Sequence, residues 1–146
     1  MGDPVRHLAI PAGFLMVLQQ GDDVLARLEA LIRAEDIPLA SITGFGFAGQ
    51  ARFGFFDFDR RDYDPREFED LEIAGLTGTL AWMDGEPSLH VHASGGDRNG
   101  LAVVGHVLEL TVGRGSFEIT IIVHPHRLQR EVDSAVGAKV LQLRQN

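Results

Sequence analysis

An α+β fold, a mainly antiparallel β-sheet with one long helix packed on it, is predicted by three features of this sequence. Only one stretch, Asp22 to Glu35, carries apolar residues at helical spacing. Most of the rest consists of short runs rich in Phe and β-branched residues, separated by glycine-containing turn signals. The 146 residues are 45% hydrophobic and 23% charged, with no linker, repeat or low-complexity segment, so residues 1–146 read as one domain able to bury its own core.

In chain order, Gly13 to Gln19 (GFLMVLQ) is a continuous apolar run without a helical stripe, and reads as a strand closed by Gln20-Gly21. In the helix, Val24, Leu25, Leu28, Leu31 and Ile32 share one face, and Asp22 and Asp23 stand at the start, where the helix dipole favours negative charge. After the break at Pro38, Leu39 to Ala48 and Ala51 to Phe58 read as two strands around Gly49-Gln50, a hairpin. Asp57 to Glu72 is dense in charge, contains Pro65 and shows no period, and so reads as a solvated connection. Leu71 to Trp82 and Ser88 to Ser94 then read as strands joined by a turn at Asp84-Gly85-Glu86-Pro87. After the loop Ser94 to Gly100, the strand Leu101 to Leu110 leads through a turn at Gly113-Arg114-Gly115 to a buried strand, Phe117 to Val123. Glu131 to Asn146 suggests a helical turn before a short closing strand, Lys139 to Leu143. Phe53 and Phe55 share one strand face and Phe56 and Phe58 another, as in a sheet covered by its helix on one side and a neighbouring subunit on the other.

Thirteen basic against 21 acidic residues give a net charge of −8, the wrong sign for holding a phosphate backbone, so no direct nucleic-acid contact is expected. The absence of cysteine removes disulfides, thiolate metal sites and a cysteine nucleophile. Met1 to His7 lacks the basic and apolar pattern of a secretory signal, and no apolar run is long enough to span a bilayer. A cytoplasmic protein is therefore expected, although a chain without cysteine also suits an oxidising compartment.

Three of the six histidines fall in one window: His90 and His92 in a His-x-His, then His106 after Gly105. Residues two apart on a strand point to the same face, and a following strand can bring in the third ring. Three imidazoles leave one position open on a tetrahedral zinc. The alternative puts His90 and His92 on an exposed edge-strand face, with His106 a separate core residue. Reactive chemistry would also need a proton carrier and a cation: Glu72, Glu109, Glu118 and Arg52 are candidates by strand placement, although each such residue is more often a surface charge or ion-pair member. The pair His124 and His126 flanks Pro125 and reads as a strand-end turn. Thr43-Gly44-Phe45-Gly46-Phe47 lacks the lysine of a P-loop, and no Gly-x-Ser-x-Gly elbow exists.

Five stretches in order, Gln20-Gly21-Asp22-Asp23-Val24, Ile42-Thr43-Gly44-Phe45-Gly46, Leu71 to Gly78 (LEIAGLTG), Leu89-His90-Val91-His92 and Gly105-His106, resemble the plants and prokaryotes conserved (PPC) domain. The resemblance implies a trimeric α+β domain, and it places His90, His92 and His106 on positions similar to the zinc-binding histidines of some prokaryotic members. It also implies a fold similar to that of acetolactate decarboxylase, a zinc enzyme with a three-histidine site, and by that analogy a zinc-dependent lyase or hydrolase. The Arg-Gly-Arg-Pro hook of plant members is missing, since Gly113-Arg114-Gly115-Ser116 lacks the second arginine and the proline. Glu69 to Ala74 departs from the partner-contacting stretch of plant members, and Val104-Gly105 replaces the two glycines many relatives have before the last histidine.

Two expectations follow from these readings. The first is a homotrimer whose His90, His92 and His106 hold zinc, or another divalent metal, in a pocket for an unidentified small molecule. The second is a non-catalytic trimeric interaction or transcription-associated module.

Overall fold

The structure, a computed structural model, describes residues 6–144. Residues 1–5 of the segment read as having no leader, and residues 145–146 of the ambiguous C-terminal segment, lie outside it. The elements are β1 (His7–Ile10), β2 (Gly13–Gln19), α1 (Val24–Ala34), β3 (Leu39–Asp57), β4 (Asp62–Met83), β5 (Glu86–Gly96), β6 (Ala102–His124), β7 (Arg130–Val132) and β8 (Lys139–Leu141). Six strands form one sheet in the order β1-β2-β6-β3-β4-β5, and every pairing between these strands is antiparallel. Because β5 also pairs with β6, the strands β3 to β6 close on themselves. The expected α+β class, mainly antiparallel, is what the chain adopts.

The helix forms where the apolar spacing placed it. Asp23 is its N-cap and accepts a hydrogen bond from the Ala26 amide at 3.0 Å, while Asp22 turns away to pair with Arg27 at 2.8 Å. Val24, Leu28, Leu31 and Ile32 are its buried residues, and they join a core that includes Met16, Leu18, Ile42, Leu80, Phe117, Ile119 and Ile121. At 11 residues α1 is about three turns, an ordinary helix rather than a long one.

Four readings need correction, and most concern glycine or charge. Gly49-Gln50 is no hairpin and Gly113-Arg114-Gly115 no turn: β3 and β6 run through them as single bulged strands. A Cβ on Gly49 would stand 3.2 Å from the Gly113 Cα, and one on Gly113 would stand 2.7 Å from the Gly49 nitrogen. These glycines let two backbones touch rather than turn back. The charged segment is also strand, for only residues 58–61 connect β3 to β4. From Asp62 to Asp70 its side chains are mostly exposed, so no alternation shows, and backbone pairing with β3 from Ala48 to Asp57 holds it. Near the C-terminus β7 and β8 form a hairpin where a helical turn was expected, with Lys139–Leu141 as the closing strand. Phe53 is buried, whereas Phe55, on the same side, stands 78% exposed past the end of the core.

The turn at Asp84-Gly85 is where the sequence put it, a two-residue loop with both φ angles positive, which suits the strand twist. It sets β5 against β4 so closely that a Cβ on Gly78 would lie 2.1 Å from the His90 carbonyl oxygen. Among the described residues no helix is long and apolar enough to cross a membrane. Gly78→Ala is expected to lower stability by about 1–3 kcal/mol through forced displacement of β5, read from the midpoint of chemical denaturation.

Candidate metal centre

His90 and His92 lie two apart on β5 and so project from one face, and the register of β5 with β6 sets His92 opposite His106. The three rings converge: their centroids are 5.1, 5.4 and 5.4 Å apart, and one nitrogen of each lies within 4.8 Å of the others. The Nε2 atoms of His90 and His92 stand 3.1 Å apart. Two nitrogens on one tetrahedral zinc, each at about 2.0–2.1 Å, would be about 3.3 Å apart, close to the separation of this pair.

Neither ring nitrogen of His106 has a hydrogen-bond partner among the described residues, although its Nδ1 is buried. Burial first, then the neighbouring His90 and His92, then Lys139, pull its pKa down to about 4. His90 is also lowered, by partial burial first, then by the charges of Arg130 and His92. Both are therefore neutral near pH 7, the state in which imidazole ligates metal. Imidazole nitrogens, with that of His106 unpartnered, fit a borderline-soft divalent ion such as zinc.

The cluster opens into a cavity of about 450 Å³ whose wall includes Phe56, Phe58, Tyr63, Leu89 and Arg130. Tyr63 stacks on His106, with ring centroids 4.4 Å apart and planes 17° from parallel. A Cβ on Gly54 would come within 2.8 Å of the Tyr63 ring, so the glycine makes room for that stack. Gly105 serves a close approach too, but to β3, where a Cβ would meet that of Phe53 at 3.0 Å. It does not act by clearing space for an ion.

None of Glu72, Glu109, Glu118 and Arg52 lines this cavity. Glu109 pairs with Arg52 at 3.5 Å, beside Glu67 and Glu69 in a separate groove. Glu118 lies among Leu15, Val17 and Phe45 on another face, and Glu72 sits in β4 opposite Gly96. His124 bonds Ser41 at 2.8 Å and is likewise outside the cavity, as is His126. The carboxylate that does line the cavity is Asp62, and the buried cation is Arg130. Sequence reading missed both: Asp62 lay in the segment read as connection, and Arg130 carries no spacing signal.

The sequence profile of the Plants and Prokaryotes Conserved (PCC) domain matches residues 9–125. The chain belongs to the PCC domain family. A protein from Ralstonia eutropha JMP134 described as a "putative DNA-binding protein" is 47% identical and superposes with a TM-score of 0.93 over 95% of this chain and 96% of that one. A metal-containing protein from Archaeoglobus fulgidus is 24% identical, TM-score 0.81, over 97% of this PCC chain and 99% of its own. Acetolactate decarboxylase from Bacillus subtilis subspecies spizizenii shares the fold at 13% identity and a TM-score of 0.57, over 75% of this chain and 52% of the enzyme. No curated protein sequence matches this PCC chain.

The depressed pKa of His106 links stability to pH. As pH falls below about 6.5 the unfolded chain takes up the proton first, so stability is full above that value and declines toward pH 4. Urea denaturation of metal-free protein is expected to show this decline, and His106→Asn to flatten it.

Proposed function

We propose that this PCC protein is a homotrimer in which His90, His92 and His106 hold a divalent ion, most simply zinc, facing a small-molecule pocket. The observation that carries the reading is the convergence of three imidazoles in the wall of a cavity. The name of the Archaeoglobus relative adds support for a metal. When bound, such an ion supplies Lewis acidity toward an oxygen-bearing ligand. The chain contributes the rest: β5 and β6 fix the three rings, Tyr63 holds the plane of His106, and Phe56 and Phe58 add apolar wall to the cavity. Shared fold with acetolactate decarboxylase supports a lyase- or hydrolase-type reaction by analogy alone.

Self-association is supported by a different face of the sheet. Leu15, Val17 and Phe45 are 41%, 39% and 55% exposed, and they surround Glu118 on adjacent strands β2, β6 and β3. Phe47 and Ile122 are 42% and 38% exposed as well. Contiguous apolar surface of this kind marks an interface; the count of three comes from the family resemblance. The second reading, an interaction module, draws on that same face and needs no ion. The net charge of −8 favours a protein partner over DNA for it.

Elemental analysis of tag-free protein is expected to give about one metal ion per chain, because a three-histidine site takes one. His92→Ala should become substoichiometric while remaining folded. A wild-type chain free of metal after supplementation with zinc would overturn the metal reading.

Light scattering is expected to give three times the 16.0 kDa chain mass. Phe45→Asp, which places a charge in the apolar face, should shift the protein to monomer.

A further inference from the structure

We infer that the cavity carries an anion subsite built on Arg130, and that the molecule it takes is a small organic carboxylate. This deepens the proposed pocket but does not depend on an ion at the histidines.

Arg130 is 3% exposed, the most buried charged side chain of the described residues. A buried cation is costly unless an opposite charge or full hydrogen bonding offsets it. Its bonds go only to neutral acceptors: Nη2 donates to the Thr79 carbonyl at 3.0 Å and to Thr79 Oγ1 at 2.6 Å, and Nε donates to the Ser88 carbonyl at 3.4 Å. No carboxylate pairs with it among the described residues, and Nη1 has no partner there. The bonds to Thr79 and Ser88 hold the guanidinium rigidly against β4 and β5, so its charge is fixed at the cavity wall. This is how a scaffold preorganises a cation for a ligand rather than for itself.

The surroundings point the same way. A chain of net charge −8 lines this cavity, among the described residues, with Arg61, Arg130 and Lys139 against the single carboxylate of Asp62. Arg61 is held there by packing on Gly137, where a Cβ would meet its Cδ at 2.5 Å. Positive charge at the wall therefore runs against the global balance, and low-dielectric walls focus it. The remaining walls, Phe56, Phe58, Leu89 and Ala138, are apolar. A molecule that suits both parts has one carboxylate for Nη1 and Lys139 and a short apolar body. The cavity of about 450 Å³ is in the range of small-ligand sites.

The test uses metal-free protein titrated with acetate, with acetamide as its neutral isostere, and with inorganic phosphate, followed by amide NMR shifts around Ser88, Leu89 and Lys139. Acetate is expected to bind saturably and acetamide not to bind. Arg130→Met should weaken acetate binding at least about tenfold, the scale of a charge-assisted hydrogen bond. Because that variant also loses three bonds to β4 and β5, Lys139→Ala at an exposed position is the second variant, with an expected loss of about threefold. Equal binding of acetate and acetamide, no saturable acetate binding, or unchanged affinity in folded Arg130→Met or in Lys139→Ala would each overturn the subsite. Saturation by phosphate with acetate inert would overturn the carboxylate assignment. Repeating the series with zinc added separates the two ideas: failure to take up zinc leaves the acetate result standing, and the reverse also holds.

Discussion

The pairing of β5 with β6 is the constraint on which the candidate site depends. His-x-His alone puts two rings on one face, but only the register that sets His92 opposite His106 turns two rings into three around a point. That register is strict because a slip by one residue would carry every side chain of β5 to the opposite face. Val91 and Ala93, which alternate with His90 and His92 in sequence, are buried and anchor β5 from the core side. The same alternation that buries these two therefore aims His90 and His92 outward. Glycine completes the constraint: Gly78 lets β4 approach β5, and Gly105 lets β6 approach β3. Closure of the sheet and convergence of the rings are one geometric fact seen from its two faces.

How far the sequence revealed this depended on whether each signal was local. The helix was legible because Val24, Leu28, Leu31 and Ile32 repeat at 3.6-residue spacing and Asp23 supplies a cap. The histidine cluster was legible because a period of two is also local, with one short loop returning to His106. Gly49 and Gly113 misled because glycine marks turns and close backbone contacts alike, and only the partner strand tells which. Residues 62–70 misled for a related reason: they are mostly exposed and pair with β3, so the side chains carry no trace of the strand. Long-range pairing leaves no periodic record when neither face is buried.

Arg130 illustrates a different limit. A charge in a sequence reads as surface, because arginine is almost never fully buried without a partner. Burial here is made tolerable by backbone carbonyls from Thr79 and Ser88, which arrive from β4 and β5. No spacing in the chain relates residue 130 to residues 79 and 88, since the hairpin of β7 and β8 must first fold back over the sheet. The glutamates chosen from strand position fail for the complementary reason. Strand placement says which two faces exist, not which of them borders a cavity, and Glu109 and Glu118 lie on faces of their own.

The electrostatics bear on which class of partner this PCC protein meets. A net charge of −8 opposes association with a polyanion, because duplex DNA is held by a basic stripe long enough to touch several phosphates. Arg130 is 3% exposed and lines the cavity rather than the outer surface. Burial strengthens the field of such a charge, because it is screened less than at the surface. In the anion subsite inferred above, a positive charge buried inside a negative protein would favour small anions over large ones, and it would do so by depth rather than by sign.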